Sequence, residues 1–171
     1  SSMLEDGKNN YICAVYADSV AYGLCLCDIS TGEVYASSFP ANEEGLGHLQ
    51  NELGRFHPAE AVLSSGAWNT DGLVPFLRDR LGCLCENGGE ARFRLNTARP
   101  LAEKQFQSGL TAVPPQDEAT IQAAGGLLAY LYETQKTDLS HISALTYYTA
   151  GQFMELDLTA RQTLELTATM R

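Results

Sequence analysis

Residues Tyr22–Asp28 read YGLCLCD, a run that is apolar at nearly every position. Successive side chains of a strand point to opposite faces, so such a strand belongs inside a sheet that is covered on both sides. That one segment demands helices above and below a sheet. Its neighbours agree. Tyr11–Ala17 (YICAVYA) is rich in aromatic and β-branched residues and predicts a first strand, turned by Asp18-Ser19 into a second strand over Ala21–Asp28. Ser30-Thr31-Gly32 turns the chain again into a third strand, Glu33–Phe39, completing an antiparallel meander.

The hydrophobic period then changes. Leu46, Leu49, Leu53 and Phe56 recur at helical spacing over Asn42–Phe56, with Asn42 as N-cap and Glu43-Glu44 in the first turn, where the helix dipole favours acids. Ala59–Ser64 predicts a strand, Asp71–Leu81 a helix, and Cys83–Cys85 a short fifth strand that Asn87-Gly88-Gly89 ends. Strands joined through a helix pair in parallel, so Ala59–Ser64 and Cys83–Cys85 should do so. A short helix follows over Thr97–Phe106. A long one covers Asp117–Lys136, with Asp117 as cap and Gly125-Gly126 at its centre. Each central glycine disfavours the helix by nearly 1 kcal/mol relative to alanine. Close approach of another backbone is the expected reason. Beyond Leu139–Tyr148, polar and mixed, Gln152–Leu156 predicts a strand and Thr159–Arg171 a helix. The expectation is an α/β fold. Its mixed five-stranded sheet, an antiparallel meander and then a βαβ unit, is flanked by helices and joined by a long helix toward the C-terminus.

Charge and cysteine usage narrow the function. The 171 residues carry a formal net charge of −10 with only three lysines, Lys8, Lys104 and Lys136. Neutralising a nucleic acid takes a dense field of Lys and Arg, so no direct DNA contact is expected of this chain. No apolar run approaches the roughly 18 residues of a membrane helix, and Ser1–Asn10 is too polar for a signal peptide. The five cysteines are odd in number, and four form C-x-C pairs, Cys25/Cys27 and Cys83/Cys85. On strands, each pair faces one side of the sheet, which favours core packing over a zinc knuckle. A reducing, cytoplasmic compartment fits. The charge is uneven. Residues 78–104 hold six basic residues (Arg78, Arg80, Arg92, Arg94, Arg99, Lys104) against four acids, a local net of +2, whereas the remainder sums to −12. Such a segment reads either as a solvated face or as a protein-docking surface.

Catalytic signatures are mostly missing. The sequence holds no G-x-x-x-x-G-K-[ST], no G-x-S-x-G and no H-E-x-x-H. His48, His57 and His141 are scattered and read as surface or capping residues. The strand order resembles ribonuclease-H-like domains, whose active members hold two divalent metals on carboxylates. Asp18, Asp28 and Asp71 are the candidates for a metal-dependent nuclease, the alternative reading. Against it, an antiparallel pair puts Asp18 and Asp28 at opposite ends of the sheet. Asp28–Gly32 (DISTG) also resembles the phosphate hairpin of sugar kinases, but a tight β-turn accounts for it.

Four strings resemble one family in order. Met3–Tyr11 (MLEDGKNNY) is similar to the link leaving the mismatch-binding domain of bacterial MutS proteins, and Gly23–Glu33 (GLCLCDISTGE) to a hairpin of the MutS connector domain, domain II. Ala123–Gln135 with Leu139-Ser140-His141-Ile142 resembles the long helix out of that connector. Met154–Leu166 (MELDLTARQTLEL) resembles the entry into the core domain, with Gln162-Thr163 where that pattern tends to have Arg-Asn. The resemblance implies a linker over 1–10, a ribonuclease-H-like connector without catalytic carboxylates over 11–138, and the start of the core domain over 139–171. An initial methionine and a terminal cap are both missing, which reads as a fragment of a larger protein. The parent would be a homodimeric clamp that finds mispaired bases and uses ATP and Mg²⁺ to signal to MutL. Neither a Phe-x-Glu wedge nor a Walker A loop lies here, so no cofactor is expected. The implied MutL-docking helix starts near Thr97 and reads Arg99-Pro100-Leu101 in its first turn. Arg92, Arg94, Arg99 and Leu101 are the candidate surface.

Overall fold

The computed structural model describes residues 10–149. Ser1–Asn9, the expected strand at Gln152–Leu156 and the expected helix at Thr159–Arg171 lie outside the described residues.

Three strands form the meander: β1 (Tyr11–Ala17), β2 (Ala21–Asp28) and β3 (Val34–Pro40). Helix α1 (Glu43–Phe56) follows, capped by the Asn42 side chain, which accepts a hydrogen bond from the Gly45 amide at 2.7 Å. His57 closes α1 from the left-handed region (φ 51°), donating its backbone N–H to Leu53 C=O. Next come β4 (Glu60–Ser64), α2 (Ser65–Trp68), α3 (Leu73–Pro75) and β5 (Leu84–Gly89). Helices α4 (Leu95–Phe106) and α5 (Glu118–Thr134) precede a two-residue strand, β6 (Thr146–Tyr147).

The sheet is mixed and runs β5-β4-β1-β2-β3-β6. β1 and β2 are its two central strands. They pair antiparallel with Tyr11 opposite Asp28 and Ala17 opposite Tyr22, while β4 lies parallel to both β1 and β5. Side-chain alternation sorts the strands into two cores. Tyr11, Cys13, Val15, Leu24, Leu26, Ala61 and Leu63 face α1, α2 and α3. Ala14, Cys25, Cys27, Ala36 and Val62 face α4 and α5. Both faces of β2 are therefore sealed, as its composition demands. Fully burying a side chain such as Leu24 or Leu26 contributes about 1.5–3 kcal/mol.

Three expectations need correction. The sheet has six strands among the described residues, because β6 pairs with Tyr35 and Ala36 of β3. Two residues are too few to show a period, and this strand exists only because β3 offers an open edge. The helix expected over Asp71–Leu81 is a three-residue α-turn that passes at once into a π-turn, Phe76–Arg80, in which Leu81 N–H reaches Phe76 C=O five residues back. Pro75 has no N–H to give to an α-helical partner, and the widened turn still buries Leu73 and Leu77. The strand expected at Cys83–Cys85 runs on through Asn87-Gly88-Gly89, with a register shift opposite Leu63/Ser64. A Cβ on Gly88 would meet Val62 Cγ2 at 2.7 Å, so here glycine lets two strands crowd together.

The paired glycines of α5 have the same kind of cause. A Cβ on Gly125 would lie 2.4 Å from Ala98 Cα, and one on Gly126 would lie 2.2 Å from the ring of Phe93. Helix α4 and the turn before it thus press directly on the α5 backbone. Gly125→Ala is expected to destabilise the domain by about 1–3 kcal/mol in urea unfolding, because the obstacle is backbone. Gly47→Ala in α1, where an added Cβ meets nothing within 4 Å, is expected to gain up to about 1 kcal/mol in the same assay.

Candidate functional site

The basic segment is spread by the fold over several environments. Arg78 lies over the Trp68 ring at 5.2 Å and Arg80 over the Phe76 ring at 5.8 Å, so both cations cover aromatic surface. Arg92 sits in the turn before α4 and pairs with Glu133 of α5 at 3.3 Å, its side chain only 20% exposed. These are contacts within the molecule. Arg94 is exposed and holds the N-cap position of α4. Arg99 is half-buried and lines a hollow of about 330 Å³ with Glu103, Val113, Pro115 and Ile121. Leu101 packs on the core beneath α4. Lys104 is exposed in the last turn.

The four candidate docking residues therefore do not form one patch. Helical residues advance about 100° each, so Arg99 and Leu101 point to opposite rims of α4. The helix also begins earlier than its sequence suggests. Its first turn is Leu95–Ala98, and Pro100 falls inside it. That proline removes the N–H that would bond to Asn96 C=O, a defect costing about 3 kcal/mol in an isolated helix. Burial of Ala98, Ala102 and Phe106 against α5 offsets it.

The candidate nuclease carboxylates are held apart. Asp18 turns β1 into β2: its Oδ1 accepts from the Val20 and Ala21 amides, and its Oδ2 from Tyr16 OH. Asp28 lies at the other end of the same strand pair, buried, with Oδ1 accepting from both the amide and hydroxyl of Ser30. Asp71 is exposed in the turn before α3. Among the described residues, no three His, Cys, Asp or Glu side chains gather as a metal site would require. The hairpin after Asp28 is a closed turn. Gly32 takes φ +83° and donates to Asp28 C=O, and Thr31 Oγ1 accepts from the Glu33 amide. With those amides engaged, the loop does not present a phosphate cradle.

The thiols also fall on two sides. Cys25 and Cys27 face α5, while Cys13 and Cys83 face the opposite core with Cys85 packed at its margin. The two C-x-C pairs cannot converge on one ion. Burial pushes the Cys25 thiol up, and raises Cys27 to about 12. Both remain protonated packing groups. His48 is exposed and lies 3.7 Å from Glu44 one turn earlier. His141 reaches the Ile29 carbonyl with its ring.

Comparison with known proteins places this architecture. The family model for MutS domain II matches residues 10–143. The chain belongs to the MutS domain II family. It is 32% identical over 170 residues to a protein of Ruminiclostridium cellulolyticum named DNA mismatch repair protein MutS, a match covering 99% of this chain and 19% of that protein. Proteins of the same name from Syntrophomonas wolfei and Pelotomaculum thermopropionicum are 35% and 36% identical, covering 99% and 96% of this chain and 20% and 19% of theirs. The chain thus spans about a fifth of the length of these relatives.

One polar cluster of this MutS domain II chain escapes a reading by motif. Glu52 of α1 is 7% exposed, yet carries a carboxyl group. Tyr148 OH donates to its Oε1 at 3.0 Å, Tyr148 C=O accepts from Ser37 Oγ at 2.6 Å, and the Tyr148 amide donates to Ala36 C=O. The segment after β6 is thereby clipped to both β3 and α1. A signal exists in the sequence, since Glu52 stands within the stripe of Leu49, Leu53 and Phe56. Its partner, 96 residues away, has none.

Desolvation raises the Glu52 carboxyl to about 7, with Tyr148 and Arg55 partly opposing the shift. A carboxyl whose folded pKa exceeds its unfolded value binds an extra proton when folded. Its favourable contribution is full below the unfolded value of 4.5 and falls as pH rises to about 7. Glu52→Gln keeps an oxygen for Tyr148 without the charge. Urea midpoints of the variant and parent should nearly coincide at about pH 4, whereas at pH 8 the variant should be the more stable by on the order of 1 kcal/mol. A difference independent of pH would show that the buried charge is not responsible.

Proposed function

We propose that this chain is the non-catalytic connector of a DNA mismatch repair protein and joins other domains of that protein. The observation that carries the reading is the β1–β2 register, Tyr11 opposite Asp28 and Ala17 opposite Tyr22. It leaves a sheet of ribonuclease-H-like order with its candidate carboxylates at opposite ends. The family match and the names of the relatives supply the context. In this reading a linker over 1–10 leads from a mismatch-binding domain, and the chain beyond about residue 138 passes into the core domain. Leu139, Ile142, Leu145 and Tyr148 lie buried against the sheet along that path. Such an exit couples movement of the core domain to α1 and β3.

Mispaired DNA, ATP and Mg²⁺ are then handled elsewhere in a cytoplasmic, homodimeric parent. The acidic charge of this chain suits that division, since it would repel a phosphate backbone. The connector offers MutL a docking surface on α4, where Arg94 and Lys104 are exposed and Arg99 lines the neighbouring hollow. Arg92 contributes by holding the turn before α4 to α5 through Glu133. Leu101 contributes by anchoring α4 on the core.

Zero-length crosslinking of this chain to MutL from the same source tests the proposal. Arg94→Glu combined with Arg99→Glu should lower the yield at least about fivefold, the effect of reversing charge across a complementary interface. Glu44→Lys, on the exposed start of α1, should leave it unchanged. Equal yields for both variants would remove α4 as the docking surface.

A further inference from the structure

Cys83, just before β5, and Cys85 within it differ from the other three cysteines in position and surroundings. Among the described residues β5 is an edge strand, with no partner beyond it in the sheet. Cys85 is half-buried on this edge, whereas Cys13, Cys25, Cys27 and Cys83 are buried. Both thiols donate to backbone carbonyls of this segment, Cys85 Sγ to Cys83 C=O and Cys83 Sγ to Leu84 C=O, each at 3.6 Å. Arg78, in the π-turn leading to the strand, acts on Cys85 electrostatically and is itself braced over Trp68. Two thiols, a guanidinium and partial exposure are thus brought to one place.

We propose that Cys83 and Cys85 form a peroxide-sensitive pair, with Cys85 as the reacting sulfur and Cys83 as the one that closes a disulfide. The neighbouring Cys83 side chain and the Arg78 charge hold the Cys85 thiol below its ordinary value, while the Cys85 side chain and burial push Cys83 up. Thiolate character therefore collects on the accessible sulfur. In the first step the Cys85 thiolate attacks one oxygen of a hydroperoxide. An S–O bond forms, the O–O bond breaks, and the departing alkoxide or hydroxide takes a proton from water. In the second step Cys83 sulfur attacks Cys85 sulfur. The S–O bond breaks, the S–S bond forms, and hydroxide leaves with the Cys83 proton as water. Two thiols and one hydroperoxide become one disulfide, one alcohol (or water) and one water.

The geometry also sets how durable the bond is. Residues two apart in extended chain have Cα atoms about 6.6–6.8 Å apart, near the upper end of what a disulfide spans. Cys83 precedes the strand and follows Gly82 in the left-handed region (φ 65°), which gives the closure its freedom. Drawing Cys83 toward Cys85 strains the bond from Leu84 N–H to Ala59 C=O that begins the strand. Such a disulfide is labile and returns to thiols in glutathione.

Trypsin isolates the pair, because Leu81–Arg92 contains Cys83 and Cys85 while Asn9–Arg55 contains the other three. The folded chain is treated with hydrogen peroxide, denatured, alkylated and digested. Support is a Leu81–Arg92 peptide without alkyl groups and lighter than its reduced form by two hydrogen atoms, with Asn9–Arg55 fully alkylated. Glutathione should restore alkylation. Cys83→Ser should leave a sulfenic acid on Cys85 that dimedone captures, and Arg78→Ala should slow closure about three- to tenfold. Full alkylation of Leu81–Arg92, or over-oxidation of Cys85 beside an alkylated Cys83, overturns the pair. Equal dimedone capture by Cys83 in Cys85→Ser overturns the assignment of the reacting sulfur.

Discussion

The contact between α4 and α5 is the point on which the second layer of this molecule rests. Two glycines at the centre of α5 weaken it as an isolated helix, and they do so where Ala98 and Phe93 occupy the space that side chains would fill. The same helix lays Ile121, Ala124 and Leu128 over β1 and β2. Helix α5 is therefore clamped between sheet and α4. A loss of about 1 kcal/mol of propensity per glycine is offset by a seam closer than side chains allow.

The two edges of the sheet differ. On one side, β3 is extended by β6 and then gripped through Tyr148, whose amide, carbonyl and hydroxyl reach β3 and α1. A buried carboxyl at that grip makes it sensitive to pH, because charging Glu52 there is opposed by desolvation. On the other side, β5 stays open and carries an exposed Leu84 beside the two thiols. One edge is closed by the segment around Tyr148, and the other keeps Leu84 and Cys85 near solvent.

Function in this fold depends on what surfaces carry. Antiparallel pairing sends Asp18 and Asp28 to opposite ends, where turn hydrogen bonds engage both oxygens of Asp18 and Oδ1 of Asp28. The local excess of positive charge in residues 78–104 is thinned in three dimensions, since Arg78 and Arg80 cover aromatic rings and Arg92 meets Glu133. The cations left exposed on α4 are Arg94 at its start and Lys104 in its last turn, with Arg99 half-buried between them. A net charge counted along the chain overstates such a surface, because ion pairs and ring contacts form between segments distant in sequence.

The sequence by itself determined the central meander, the two-sided burial of β2, the caps Asn42 and Asp117, and the close approach at Gly125-Gly126. All follow from local period, capping chemistry or an otherwise unexplained residue. Only the tertiary structure decided the rest. The pair Thr146–Tyr147 became a strand because β3 had an open edge, and Phe76–Arg80 widened into a π-turn that buries Leu77. Asn87-Gly88-Gly89 stayed in a strand because Val62 crowds Gly88. Glu52 met Tyr148, and Arg99 and Leu101 were turned to opposite rims of α4. Each outcome joins groups far apart in the chain or fixes the phase of a helix, and neither is encoded by the spacing of nearby residues.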